Sequence, residues 1–316
     1  MNRAAPGTVN GRLLEATAAQ QLERDAVTWH AWGAGLTPAQ FIERERRLRE
    51  HPWARRAMKS YWWVDASGAP LSSCELFLDD AVAGERRGVA GTIASVFTEE
   101  RLRGHGHAAQ LLEALTAHVQ TTRDDCLALT LFSEIGLGLY SRLGFCAVPS
   151  FDTFFTPLLN APAGVELLEG PLPPPVHPPG DDETLRTLLS SDRLDWHLER
   201  ERIYGELGAR PRLPFHGARL AGQRAAITFT AYWKTNELQV LTLDARTEEA
   251  TATLLAAARY AAHLAGLPTV RVWETSSLAA QLPHARRMAR TDELPMFKPL
   301  APGIQAWTRV ERGTWA

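Results

Sequence analysis

The sequence predicts an α/β protein in two parts, with a ligand-binding loop in the first. Three observations lead there. Short apolar segments of strand length alternate with amphipathic helical segments through both halves of the chain. One apolar segment runs through Val96, Phe97 and Thr98 into a glycine-rich loop that opens a helix. A proline-rich stretch, P-L-P-P-P-V-H-P-P-G at 171–180, separates the halves. Proline fixes φ and removes a donor, so 161–182 reads as an extended connector between units at 1–160 and 183–316.

Length and composition agree with two globular units. The chain has 316 residues, and domains run to about 100–200 residues each. A net charge of −2 gives no basic surface for a nucleic acid or an acidic membrane. Three widely spaced cysteines, Cys74, Cys126 and Cys146, form no C-x-x-C and support neither zinc nor a disulfide framework. Residues Met1 to Val9 carry no signal pattern, and no apolar run approaches the roughly 18–20 residues that span a bilayer. A cytoplasmic protein with reduced thiols is expected.

Along the first unit, Thr37-Pro38 reads as an N-cap with proline at the first helical position, starting a charged helix through Arg49. Strands are predicted at 61–64, 71–78 and 89–98, with a turn at Asp65–Gly68. After the loop at 103–108, Ala108, Leu111, Leu112, Leu115 and Val119 keep helical spacing. Strand 127–132, a short helix around Tyr140 ending at Gly144, and a strand over 145–155 follow. The second unit reads as a helix over 184–207, strands at 225–233 and 238–243, an alanine-rich helix at 247–265 and a strand at 269–274. That order echoes the first unit without its glycine-rich loop, so the second unit is read as a degenerate copy that has lost the cofactor site.

The loop itself is R-G-H-G-H-A at 103–108. Backbone N–H groups at a helix N-terminus suit a pyrophosphate, because free donors and the helix dipole point the same way. Gly104 and Gly106 allow close backbone approach, and Arg103 adds charge. A dinucleotide G-x-G-x-x-G is excluded by Ala109, and a P-loop by the missing G-K-S/T. His105 and His107 alternate there, but their amides rather than their rings are expected to serve, and no metal is expected.

This loop resembles the Q/R-x-x-G-x-G/A motif of the GCN5-related N-acetyltransferases (GNAT). A second segment, Ser133 to Phe145, resembles their N-x-x-A-x-x-L-Y-x-x-x-G-F. Tyr140, Gly144 and Phe145 keep the spacing, while Ser133 and Gly136 depart from it. The resemblance implies an α/β (α+β) fold with a mixed central sheet and acetyl-CoA as co-substrate. It places Val96, Phe97 and Thr98, the loop residues Arg103, Gly104, His105, Gly106, His107 and Ala108, and Ser133 and Tyr140 around the cofactor. It makes Tyr140 the acid that protonates the departing thiolate. More closely, L-S-S-C-E at 71–75, S-V-F-T at 95–98, S-E-I-G at 133–136 and Asp195-Trp196-His197 with Arg200 and Tyr204 resemble the fungal free-lysine N6-acetyltransferases. So do Trp307 and Trp315. That similarity implies transfer of acetyl to the lysine ε-amine.

A lysine ammonium, of pKa about 10.4, must lose a proton before it attacks. Glu75 and Glu134 are the carboxylates expected beside the cleft. Asp195, Trp196 and His197 either line an acceptor pocket between the units or belong to the core. The second unit is expected to close the acceptor side, and a small-molecule amine is the expected partner. Two other functions stay open: acetylation of a protein N-terminus, polyamine or aminoglycoside, and non-catalytic binding of an acyl-CoA. Oligomeric state is not legible.

Overall fold

The computed structural model describes residues 11–170, 181–275 and 277–316. The initial segment Met1–Val9 and the proline run at 171–180 lie outside the described residues.

Strand β1 (Arg12–Glu15) is followed by helices α1 (Ala18–Trp32) and α2 (Pro38–Glu50). Each helix starts on a capping box, Thr17 with Gln20 and Thr37 with Gln40, in which each side chain bonds the other residue's backbone N–H. Pro38 stands at the start of α2 and Pro52 at the start of α3 (Pro52–Ala57), where no donor is lost. Next come β2 (Met58–Val64), β3 (Pro70–Ala83) and β4 (Arg86–Phe97). Asp65 turns the chain between β2 and β3 by accepting from the Ser67 and Ala69 N–H groups. Helix α4 (His107–Thr122), β5 (Cys126–Ser133), α5 (Gly138–Arg142), β6 (Cys146–Ala147) and β7 (Phe151–Phe155) complete the first half.

The second half runs β8 (Val165–Leu168), β9 (Thr184–Thr187), α6 (Ser191–Leu207), β10 (Gly217–Leu220), β11 (Ala226–Tyr232) and β12 (Glu237–Asp244). It continues with α7 (Glu248–Leu264), β13 (Val270–Trp273), α8 (Leu278–Gln281), β14 (Arg286–Ala289), β15 (Leu294–Pro299) and β16 (Ala306–Trp307).

Two mixed sheets result, and their main paths have the same topology. The first runs β1-β2-β3-β4-β5-β15-β6 and the second β8-β10-β11-β12-β13-β7-β14. In each, the first four strands are antiparallel, the fourth and fifth are parallel, and the last two return antiparallel. A parallel pair needs a crossover, which α4 and α7 provide. The sixth strand of each sheet comes from the other half of the chain: β15 inserts between β5 and β6, and β7 between β13 and β14. Strands β9 and β16 extend the first sheet beside Ala81–Ala83 of β3.

Three predicted elements change. The connector expected over 161–182 holds a strand, Val165–Leu168, which pairs with β10. The helix expected over 184–207 begins only at Ser191, because Thr184–Thr187 pairs with β3 and β16. Ser190 caps the helix by accepting from the Arg193 N–H at 3.1 Å. The strand expected over 145–155 splits into β6 and β7, which join different sheets. Pro149 stands between them and has no N–H for a ladder.

Leu111, Leu112, Leu115 and Val119 of α4 pack on the first sheet. Ala257, Ala258, Ala261 and Ala262 of α7, all fully buried, let that helix lie close on the second. Between them, Trp53 of α3 and Phe77 of β3 pack against Trp196 of α6. Arg193 is fully buried, pairs with Asp79 of β3, and donates from Nε to the Gly313 carbonyl at 2.7 Å. Arg193→Leu should therefore cost about 3–5 kcal/mol, since it strands a buried carboxylate and a carbonyl. Denaturant unfolding measures this; a loss of less than about 1 kcal/mol, the worth of an exposed pair, would remove the pair from the stability of the junction.

Candidate active site

The parallel pairing of β4 and β5 ends at Ile93 and Leu131. Beyond that pair the two strands part. On its other edge β5 stays paired with β15 through Phe132 and Ser133. On β4, the register with β3 shifts between Ser73 and Glu75, and Ser95 takes a φ of +52°. The Ser95 carbonyl accepts from Arg24 Nη2 at 2.7 Å. Parted parallel strands leave backbone groups without ladder partners, which an extended ligand can take up. Val96, Phe97 and Thr98 line the cleft that opens there, whose volume is about 790 Å³.

Below Thr98 the chain makes one 3-10 turn and enters the glycine loop. Gly104 and Gly106 have φ of +82° and +83°. Gly106 is the N-cap of α4 and offers no side chain, so the first-turn donors have no side-chain cap. A Cβ on either glycine would meet no protein atom within 4 Å. Gly104, Gly106, Ala108 and the backbone around them border the cleft. Uncapped donors and two unobstructed glycines fit a pyrophosphate.

The other loop side chains are held by neighbouring groups. Arg103 Nε donates to the Thr98 carbonyl at 3.1 Å. His105 contacts the Leu102 carbonyl and is exposed; His107 is buried and contacts Gln110 Oε1 at 3.3 Å. Among the described residues no three His, Cys, Asp or Glu side chains converge as a metal site. Among them also, no helix is long and apolar enough to cross a membrane.

The opposite wall is S-E-I-G. Ser133 Oγ donates to the Gly136 carbonyl at 2.5 Å and accepts from the Ile135 N–H at 3.3 Å. Gly136, at φ +76°, completes the turn. Ser133 is thus buried beneath the turn, outside the cleft lining, and its hydroxyl is spent on the backbone. The turn delivers Tyr140 on α5 into the cleft. Burial pushes the Tyr140 phenol up to about 12, with further contributions from Cys74 and Glu134. The phenol therefore keeps its proton at ordinary pH.

Both predicted carboxylates border the same cleft. Glu75 is not a solvated charge: it is buried, and Arg24 Nη1 donates to its Oε1 at 3.0 Å. Glu134 is exposed at the rim.

The far wall comes from α2, α6 and β11. Helix α6 presents Trp196, Arg200 and Tyr204, one turn apart, together with Glu201. Asp195 and His197 flank Trp196 in sequence, but neither lines the cleft. Asp195 contacts His51 Nε2 at 3.1 Å, and His197 is buried against the Gly313 carbonyl at 3.0 Å. Burial, chiefly, holds the His197 imidazole well below its ordinary value. The helical period explains the difference, since neighbours in sequence point about 100° apart on a helix. The step from Trp196 to Arg200 to Tyr204 was available in the sequence. Arg24, Arg44 and Lys234, also in the lining, gave no such signal.

The equivalent place in the second sheet is closed. The link from β12 to α7 has no glycine, Thr247 caps the helix itself, and Glu248 and Glu249 occupy its first turn. Those carboxylates oppose a phosphate there. Glu311 and Arg312 fill the space beside Leu241 and Trp273, leaving a cavity of about 10 Å³.

Comparisons with known proteins agree with this geometry. The model of the LYC1 GNAT-like C-terminal domain matches residues 178–311. Among solved structures, the chain is similar to a GCN5-related N-acetyltransferase from Kribbella flavida, with 17% identity, a TM-score of 0.58, and coverage of 92% of this chain and 72% of that one. A conserved protein from Enterococcus faecalis has 13% identity, a TM-score of 0.60, and coverage of 92% and 73%. A GCN5-related N-acetyltransferase from Anabaena variabilis has 11% identity, a TM-score of 0.53, and the same coverage. No curated protein sequence matches. At these identities the likeness establishes the fold: the chain has a GNAT fold.

Proposed function

We propose that this protein is an acetyl-CoA-dependent N-acetyltransferase whose acceptor is a small amine, the N6-amine of lysine. One observation carries the reading: a single cleft joins the R-G-H-G-H-A loop, the parted edge of β4 and the Tyr140 phenol. The loop amides and Gly106 hold the pyrophosphate, and the β4 edge aligns the pantetheine arm and polarises the thioester carbonyl. The cleft orients both reactants, which lowers the entropic part of the barrier. The amine attacks the carbonyl, and the tetrahedral intermediate expels the thiolate. Tyr140 donates a proton to that sulfur. Glu75, fixed by Arg24, holds the charge of the incoming ammonium, and Glu134 at the rim accepts its proton directly or through water. Residues 183–207 and β11 supply the acceptor wall, so the second half closes the cleft.

Lysine follows from the motif similarity and from the mixed charge of that wall. With Arg44 and Arg49 paired to Glu45 and Asp25, Arg200 and Lys234 would still repel a polyamine, while Glu201 lies beside them. A zwitterion suits both signs. Incubating the protein with acetyl-CoA and a panel of amines, and following free thiol, tests the proposal. Lysine is expected to give the highest kcat/KM; no thiol release with any amine would leave an acyl-CoA-binding protein without catalysis.

The cofactor assignment has its own test. Gly106→Val should weaken acetyl-CoA binding by at least about tenfold, since a β-branched residue in the left-handed region costs roughly 1–2 kcal/mol and its side chain enters the phosphate space. Unchanged affinity by calorimetry would remove the loop from the site.

A further inference from the structure

We propose that Arg200 and Glu201 of α6 together bind the α-amino-acid end of the acceptor, Arg200 taking its carboxylate and Glu201 its α-ammonium. This rests on the amine-acetyltransferase reading above.

The neighbouring arginines of the cleft are already committed. Arg24 pairs with Glu75 at 3.0 Å, Arg44 with Glu45 at 2.6 Å, and Arg49 with Asp25. Arg200 differs. Among the described residues its guanidinium has no carboxylate and no hydrogen-bond acceptor. It lies instead over the Trp315 ring at 4.3 Å from the centroid and near Tyr232 at 5.9 Å. Aromatic faces hold a guanidinium while leaving its in-plane donors unused. A half-buried fork of donors without an acceptor matches a carboxylate in shape and charge.

Glu201 offers the opposite sign beside it. It is buried, and one carboxylate oxygen accepts the Trp233 N–H at 3.2 Å. Burial pushes its carboxyl up against the pull of Arg200, the Trp233 N–H, Arg44 and Arg312, so a further cation brought against it would relieve the remaining cost of its charge. Both residues border the cleft that holds Tyr140, and Phe77 and Trp196 supply apolar surface there for a methylene stem.

Three acceptors separate the two contacts. Lysine has both α groups, 1,5-diaminopentane lacks the carboxylate, and 6-aminohexanoate lacks the α-ammonium. The wild type should prefer lysine over either analogue. Arg200→Gln should raise KM for lysine and 6-aminohexanoate by about 10- to 100-fold, the scale of a lost charged hydrogen bond. It should change KM for 1,5-diaminopentane far less, and Arg200→Lys should recover part of the loss. Glu201→Gln should show the converse pattern, raising KM for lysine and 1,5-diaminopentane more than for 6-aminohexanoate. Circular dichroism and thermal melting report folding in every variant, and calorimetry reports acetyl-CoA affinity separately. Equal use of the three acceptors by the wild type, or an equal loss on all three in Arg200→Gln, would overturn the anchor and leave the acetyltransferase reading standing. Loss of acetyl-CoA affinity in a folded Arg200→Gln would instead assign that arginine to the cofactor. No transfer to any amine would overturn both proposals.

Discussion

Tyr140→Phe is expected to lower kcat by about 10²–10⁴-fold, the usual range for a general acid, while acetyl-CoA still binds. The phenol is buried on α5 and keeps its proton, because burial first, and then the nearby Cys74 and Glu134, push it up to about 12. Such a phenol is a weak acid, and in water it would protonate a thiolate poorly. Burial raises a thiol as well: Cys74, in the core behind Tyr140, is pushed up to about 12. A sulfur expelled against the buried Tyr140 would be raised in the same direction, which lessens the mismatch with the phenol. The pH profile carries the sign of this argument. The Tyr140 proton is lost only as pH rises through its raised value, so the acid stays loaded across pH 7–10, and no fall in rate over that range should trace to Tyr140. Steady-state thiol release and calorimetry on the same preparation test the assignment. A turnover within about twofold of wild type, below the range expected for an acid, would move sulfur protonation to another donor.

The sequence disclosed the cofactor side of the cleft more fully than the acceptor side, for a physical reason. A pyrophosphate site is local: a strand end, two glycines at positive φ and a helix N-terminus lie within a few residues, and spacing alone reveals them. The turn that delivers Tyr140 is equally local. The acceptor side is assembled from α2, α6 and β11, with Arg24 of α1 beside them, and these lie far apart in sequence, so Arg24 and Arg44 leave no pattern. The similarity singles out Asp195, Trp196 and His197 together, whereas the helix turns Asp195 and His197 away from the cleft and brings Arg200 and Glu201 round. The core helices were legible from their apolar period. The origin of the sixth strand in each sheet was not, because β7 and β15 look like any short apolar strand, and nothing local says which sheet will accept them.

That exchange makes the second large prediction. Read from sequence, the first unit carries the whole cofactor site, so a chain ending at Pro157 would be expected to bind acetyl-CoA unaided. The topology predicts otherwise. Strand β15 lies inside the first sheet, pairing with β5 from Ser133 to Ala128 and with β6. Its Met296 is fully buried among the core residues under α4. Without it, β5 presents an open edge where the sheet should continue, and β6 loses its pairing. Phe151–Phe155, which belongs between β13 and β14, has no sheet to enter. Unpaired edges and uncovered apolar surface lead to aggregation rather than to a smaller native state. The fragment 1–157 is therefore expected to aggregate or to lack a cooperative thermal transition, and to bind no acetyl-CoA. Refolded together with 158–316, it should recover both properties, because each fragment carries the strand that the other lacks. A soluble 1–157 that melts cooperatively and binds acetyl-CoA would show that β15 completes the sheet without being needed to form it. In that case the exchange would serve mainly to hold α6, and with it Arg200, against the acceptor side of the cleft.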